Sequence, residues 1–505
     1  MESGAFYVYQ SPTPPWKLIS VSSIAAGVQF AWALQISLLI PFLQTLGVPH
    51  GISALVWLYG SFSGMVLQPI LGYKSDRCTS RFGRRRPFIA GGAALACLSF
   101  LLIGFAKDIG YQAGDSLDQN LKPRAVVVFV LGFWLLDVAN NTLQGPCRAL
   151  LADLCFQDHG AMRTAMSWFS FFMAVGNVLG YAAGAFARLH KFLPFTRNEV
   201  CSDNCANLKA CFIIAVVILL VVTLTAIFSV SEVQMTEELV RKQFNNNNSS
   251  QMTSFLMQLM ALLHSLKNPM RLLMLVTFLT WLSWFPFMLF GTDWVGKEVF
   301  GGKVDADGVD GSRYEVGVRS GSLGLMVNSM VVAFASLAIG RATRLVRGMK
   351  NLWGVANLIL AGGLIGAVVI TKRAGEWRSS GAADASIFPP LDILWGTWIV
   401  YLLLGISLAV QYSIPFAMAS IYCSITGGGQ GLSLGVLNLA IIIPQMIVSV
   451  GCGPLEAFFG SNNAPSFELG AVVATISAIV AIFVLPDPLE RAAERSTCKT
   501  KWQGL

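Results

Sequence analysis

Charge is scarce in this chain. Only 12% of its 505 residues are Asp, Glu, Lys or Arg, about half the share in soluble globular proteins, which excludes an ordinary soluble enzyme. Histidine is scarcer still, at four. No Walker A loop, zinc-ligand spacing or activated nucleophile occurs, so neither an ATP engine, a metal centre, a cofactor nor an enzymatic reaction is expected. No short apolar stretch with a basic start and an A-x-A site opens the sequence, so no cleaved leader is expected. What is abundant is apolar: 54% of residues are hydrophobic. A membrane helix needs about 20 apolar residues, so about twelve would take half the chain and leave only loops. The net charge of +8 would suit nucleic acid, but the same excess arises when Lys and Arg collect in cytoplasmic loops. Its placement favours the bilayer.

Apolar windows between Gly, Pro and charge give spans 1 to 6 near 18–43, 52–73, 87–106, 125–152, 163–187 and 209–230. Spans 7 to 12 fall near 271–291, 318–340, 351–371, 391–422, 431–455 and 466–485. The fold class expected is an all-α membrane protein of twelve helices in two six-helix halves. The halves are 1–230 and 268–486, joined by a linker at 231–267 and followed by a tail at 487–505. Lys and Arg crowd the connections after spans 2 and 8 and the tail, which places these, and both termini, in the cytoplasm. The linker carries Asn245-Asn246-Asn247-Asn248-Ser249-Ser250, then Phe255, Leu256, Leu259, Leu262, Leu263 and Leu266 at helical spacing, the pattern of an interfacial helix. Gly72 and Gly340 each precede a basic cluster, an echo between halves that fits a secondary transporter.

Polar groups inside spans are expensive and therefore functional candidates. On span 4, Asp137, Asn141, Gln144 and Arg148 fall within roughly 60° on a helical wheel. The stripe must face protein, water or a polar ligand. Asp153 follows an Ala-Leu-Leu-Ala run, and a carboxyl desolvated there has its charged form disfavoured. It is the candidate proton carrier, with Arg163 at the start of span 5 as its partner. Asp76, Arg77, Gly83, Arg84, Arg85 and Arg86 form a loop that resembles the loop 2–3 motif of the major facilitator superfamily. Asp76 can pair there with arginines and helix ends, latching the halves. Gly176, Gly180 and Gly184 form a small-residue ridge on span 5, which means tight helix packing. Asp305, Asp307 and Asp310 only faintly resemble a calcium loop and read as an external turn. Cys201 and Cys205 share the external loop 5–6, where a disulfide would survive, though spacing leaves connectivity open.

Longer strings carry a closer resemblance. They are Ser20-Val-Ser-Ser-Ile-Ala-Ala-Gly-Val-Gln29-Phe-Ala-Trp32-Ala-Leu-Gln35, Gln144-Gly-Pro-Cys-Arg-Ala-Leu-Leu-Ala-Asp153, Phe169-Ser-Phe-Phe-Met-Ala-Val-Gly-Asn177 and Gly429-Gln430-Gly-Leu-Ser-Leu-Gly-Val-Leu-Asn438. From about Trp16 to Pro486 the chain resembles plant sucrose–proton symporters. The resemblance implies a major facilitator fold with a midplane cavity between spans 1, 4, 7 and 10, and proton-driven uptake of sucrose and some glucosides. It assigns proton coupling to Asp153 and Arg163, and sucrose interaction to His50. Where that family has Asp-Thr-Asp-Trp-x-Gly-Arg-Glu after span 7, this chain has Gly291-Thr292-Asp293-Trp294-Val-Gly296-Lys297-Glu298. Met166 departs similarly after Arg163. These departures bear on affinity and glucoside range.

The expectation is therefore a symporter of sucrose and protons in the plasma membrane, with the vacuolar membrane as alternative, functional as a monomer. Its polar lining is expected from Gln29, Gln35, Asn140, Asn141, Gln144, Gln411 and Tyr412, whose groups suit sugar hydroxyls, with Trp32 and Trp284 as stacking faces. Asp293, Lys297 and Glu298 are expected to act in gating or structure. An uncoupled facilitator and a non-transporting sensor are the rival readings.

Overall fold

A bilayer core offers the backbone no hydrogen-bond partner, so uninterrupted apolar runs are committed to helix. The computed structural model describes residues 13–46, 50–116, 122–155, 158–185, 189–198, 200–201, 203–232, 234, 236, 266, 268–303, 309–380, 388–426, 429–458 and 463–486, some by backbone alone. The expected interfacial helix of the linker, Asp305 and Asp307, and the C-terminal tail lie outside the described residues. Span 1 is Pro15–Ser22 and Ile24–Thr45, span 2 His50–Asp76, span 3 Arg86–Gly104, span 4 Pro123–Leu154, span 5 His159–Ala185 and span 6 Asp203–Ser229. Span 7 is Asn268–Trp294, continued by a wider turn at Val295–Val299. Spans 8 to 11 are Val309–Leu345, Met349–Ser379, Leu391–Thr426 and Gln430–Phe458. Span 12 is Ala464–Ile479 with a second wide turn at Val480–Val484. Eleven of these helices are long and apolar enough to cross a membrane, and His50–Asp76 stands where the remaining span is expected. The chain is a multi-pass integral membrane protein.

Local chemistry sets several ends. Span 1 is interrupted at Ser23, whose hydroxyl donates to the Ser20 carbonyl at 2.7 Å, a side-chain bond that competes with helical geometry. Span 4 begins at Pro123, which is pre-set for a first helical turn. Asp115 then accepts from the backbone N–H of Ala125 at 2.9 Å. Span 8 runs 37 residues, about 55 Å, so it outruns the hydrocarbon core of about 30 Å. Its first turns hold Asp310, Arg313 and Glu315, which is why the apolar window began later than the helix.

The chain divides into two compact units. One comprises Met1–Leu266 and Ala419–Asn438, the other Lys267–Met418 and Leu439–Leu505. In the first, the glycine ridge of span 5 meets span 1: a Cβ on Gly176 would lie 2.9 Å from the Phe30 nitrogen, and one on Gly180 2.6 Å from the Ala33 Cβ. In the second, Thr280, Asn357 and Ser477 form a buried hydrogen-bonded triad, with Asn357 Nδ2 donating to Ser477 Oγ at 3.0 Å and to Thr280 Oγ1 at 3.1 Å. It ties spans 7, 9 and 12 together by bonds that lipid cannot supply.

Candidate functional site

Span 4 carries most of the polar groups that an apolar helix must justify. Asn141 Nδ2 donates to the Asp137 carbonyl at 2.8 Å, while its Oδ1 accepts from Gln68 Nε2 of span 2, also at 2.8 Å. The amide is thereby fixed in one orientation. Oδ2 of Asp137 is buried and has no hydrogen-bond partner among the described residues. Asn140 is buried too, with its Oδ1 unpartnered among those residues. Arg148 lies three turns along the same face, about 16 Å from Asp137. It is buried, its guanidinium 4.1 Å over the Phe169 ring and Nη2 at 3.4 Å from Met173 Sδ. Gln144 is half-buried between them.

Asp153 is differently placed from the sequence expectation. Its carboxylate meets Arg84 Nη2 at 2.6 Å and Arg85 Nε at 3.0 Å, and Arg163 is not among its ion-pair partners. The arginine loop folds beneath the end of span 4 and supplies the nearest cations, so the expected Asp153–Arg163 pair is replaced by Asp153 with Arg84 and Arg85.

That loop is the densest charge cluster described. Arg85 is 0% exposed and uses three donors: Nη2 to Asp76, Nη1 to Ser75 Oγ at 2.5 Å and Nε to Asp153. Burial pulls its guanidinium down, but Asp76 and Asp153 more than offset this and hold it above its ordinary value. Asp76 also accepts from the backbone N–H of Gly431 at 3.0 Å and Leu432 at 2.8 Å. These belong to the first turn of span 11, where donors are unsatisfied and a carboxylate is favoured. Arg77 stacks 3.6 Å over Tyr73. Glu232 was missed in the sequence. Its carboxylate accepts from the backbone N–H of Arg85 at 2.9 Å and Arg86 at 3.0 Å, capping span 3 from 147 and 146 residues away. Burial pushes its carboxyl up, against the pull of those two N–H groups, and Asp153 adds to the rise. Gly83, at φ +101°, lets the chain turn there, and any Cβ would strike the Glu232 side chain.

In the second unit, Asp293 accepts from Tyr314 Oη at 2.9 Å and Asn463 Nδ2 at 3.2 Å, and pairs with Lys297 Nζ at 2.8 Å. Glu298 accepts from Thr371 Oγ1 at 3.0 Å and the Asn463 N–H at 2.5 Å. Together they tie the end of span 7 to spans 8, 9 and 12. Gly291 faces Phe287, whose ring would be 3.3 Å from an added Cβ, and its carbonyl accepts from Tyr401 Oη at 3.1 Å. An acid at 291 would have to displace that ring.

The expected lining has members in both units. Gln29 and Gln35, six residues apart, project about 120° apart on a helix. Gln35 is 1% exposed, both amide atoms unpartnered among the described residues. It faces a cavity of about 10 Å³ among Leu34, Ile103, Phe129, Leu208 and Phe212. That is room for about one water, so Gln35 lies in the apolar interior of the first unit. Gln29 is buried and Trp32 half-buried. In the second unit Gln411 donates to Ser407 Oγ at 2.9 Å, leaving Oε1 unpartnered, and buried Trp284 has Nε1 unpartnered, both among the described residues. The Tyr412 ring lies 5.8 Å from that of Trp281. His50 opens span 2, its side chain outside the described residues.

Cys201 and Cys205 are joined, with Cα atoms 5.3 Å apart. Peptide mapping of unreduced protein is expected to recover both on one cross-linked peptide; two freely alkylated thiols in folded protein would reject the bond.

Comparison with known proteins follows the same outline. The model of the family described as MFS/sugar transport protein matches residues 20–303. The chain is 44% identical over 469 residues to the sucrose transport protein SUC4 of Arabidopsis thaliana, covering 93% of this chain and 90% of that one. It is also 44% identical over 479 residues to the sucrose transport protein SUT2 of Oryza sativa subsp. indica, covering 94% and 93%. Among solved structures, the major facilitator transporter FucP in its outward conformation matches with TM-score 0.62 at 14% identity, covering 93% and 98%. The proton:xylose symporter XylE matches with TM-score 0.61 at 13% identity, covering 93% and 96%.

Proposed function

The chain belongs to the plant sucrose transport proteins of the major facilitator superfamily, and from that premise we propose that it carries sucrose together with protons into the cytoplasm by alternating access. The observation that carries the coupled reading is Asp137, a carboxyl inside an apolar span with one oxygen lacking any partner among the described residues. An ionised carboxylate with one oxygen buried and unpartnered is expensive, and taking up a proton removes the cost. Asp153, gripped by two arginines, needs no proton for neutrality. The proton role therefore passes from Asp153 to Asp137, and Asp153 serves to hold the arginine loop. Arg163 then has no coupling task with Asp153.

Each unit holds buried polar atoms that lack protein partners among the described residues, Asn140 Oδ1 in the first and Trp284 Nε1 and Gln411 Oε1 in the second, and each is by itself a candidate contact for sugar. Sugar hydroxyls satisfy such atoms, and aromatic faces suit sugar C–H surfaces. The driving force is adequate. About 150 mV gives roughly 3.5 kcal/mol per proton. A pH step of ~1.5 units adds roughly 2 kcal/mol. At one proton per sugar this sustains about a 10⁴-fold gradient. By the positive-inside bias the arginine loop and both termini are cytoplasmic, and the plasma membrane is the proposed location.

Electrical recording from oocytes tests the reading. Sucrose is expected to evoke an inward current that grows as external pH falls. Sucrose flux without current would make the protein a facilitator, and binding without flux would make it a sensor.

A further inference from the structure

Span 2 contacts two things at once. On one side its backbone is pressed against the start of span 11, within the first unit. A Cβ on Gly435 would lie 2.8 Å from the Gln68 carbonyl oxygen and 3.0 Å from Pro69 Cα. One turn on, a Cβ on Gly72 would lie 2.6 Å from the Gly431 carbonyl carbon. Another turn on, Asp76 caps the N–H groups of Gly431 and Leu432. Positions 68, 72 and 76 share a helical face, so this crossing is continuous and has no room for a side chain. From this same stretch of span 2 the Gln68 side chain reaches span 4 and holds Asn141 by its oxygen at 2.8 Å. Asn141 in turn keeps its N–H group on the backbone of Asp137. Pro69, inside span 2, removes one helical hydrogen bond at this point and makes the helix locally easier to bend.

We propose that Gln68 is a positioning residue that links proton release at Asp137 to opening of the crossing between spans 2 and 11. The inference rests on the coupled reading above. While the crossing is closed, Gln68 pins Asn141, and the Asp137 carboxyl receives no donor from it. When span 11 leaves span 2, the Gln68–Pro69 backbone loses its support and the Gln68 amide withdraws. Asn141 then turns its N–H group from the Asp137 carbonyl to the Asp137 carboxyl, which lies one turn away on the same face. A donated hydrogen bond favours the anion. The proton leaves Asp137 for water at the opened end, and the charge stays on a carboxylate that now has a donor. Among the described residues no charged side chain contributes at Asp137, whose setting is governed by burial; Arg148 is three turns away.

The test compares net transport with exchange in oocytes at matched surface amounts. Wild type is recorded first, and absence of sucrose-evoked current there would sink the coupled reading itself. Given that current, Gln68→Met keeps length and packing but loses the donor. It is expected to lower net sucrose current about fivefold, the value of one net hydrogen bond. Exchange of labelled sucrose, which needs no proton release, is expected to stay near wild type. The external pH of half-maximal current is expected to fall by about half a unit, about threefold in proton concentration, because an unpinned Asn141 favours the Asp137 anion. If Gln68→Met does not reach the surface, Gln68→Asn, too short to span the same gap, carries the same expectation. Net current and exchange falling in parallel, or an unchanged pH profile and an unchanged ratio of net flux to exchange, would overturn the proposal while leaving the coupled reading intact.

Discussion

Replacing Asp137 with asparagine is expected to abolish concentrative sucrose uptake while sparing sucrose exchange. The amide has nearly the size of the acid and keeps its place on span 4, but it cannot lose a proton at any working pH. It resembles the protonated acid held permanently. The carrier then moves loaded in both directions, and accumulation falls from the about 10⁴-fold limit set by the proton gradient to equilibrium. The parallel substitution Asp153→Asn should behave differently. It removes the anion shared by Arg84 and Arg85, so it should weaken the arginine loop yet leave sugar-evoked current sensitive to external pH. Measuring uptake and exchange in both variants at equal surface amounts separates the two acids. If Asp137→Asn still accumulates sucrose and Asp153→Asn only exchanges it, coupling belongs to Asp153.

The second large effect is expected at Arg85. Its guanidinium is wholly buried and its three donor directions are each taken, by Asp76, Ser75 and Asp153. Arg85→Ala leaves Asp76, 1% exposed, as a buried anion whose remaining hydrogen bonds among the described residues come from the backbone N–H groups of Gly431 and Leu432. Removing one partner of a buried pair costs about 3 to 5 kcal/mol. Arg85→Lys keeps the charge but offers a point donor where a planar fork is needed, so it should recover only part of that loss. Thermal unfolding of purified protein in detergent reads both. A wild-type midpoint for Arg85→Ala would show that this cluster contributes little to stability, and the structural account of the loop would fail.

The helical spans were legible because a bilayer demands long apolar runs, and Gly, Pro and charge mark their ends. Legibility failed where helix and hydrocarbon part company, as in span 8, whose charged first turns continue the helix beyond the apolar window. The glycine ridge on span 5 was readable for the same reason as the spans: small residues at every fourth place have one use, and Gly176 and Gly180 meet span 1 as their spacing implied. Charge partners were not readable. Arg85 reaches Asp153 across 68 residues and Glu232 reaches Arg85 across 147, and nothing local marks either choice. The polar stripe of span 4 was visible, but sequence could not show which of the helix's two acids, Asp137 or Asp153, has an oxygen without a partner among the described residues. Gln35 is the converse case. A polar residue in a span invites a role in binding, yet its 120° offset from Gln29 already placed the two on different faces.

The most direct measurement is sucrose accumulation by purified protein in sealed vesicles, with an imposed inward proton gradient and a protonophore as control. Labelled sucrose should rise above its external concentration, collapse to equilibrium when the protonophore is added, and never exceed equilibrium with Asp137→Asn. Accumulation that survives the protonophore, or a wild-type protein that only equilibrates sucrose across the gradient, would contradict proton-coupled transport through Asp137.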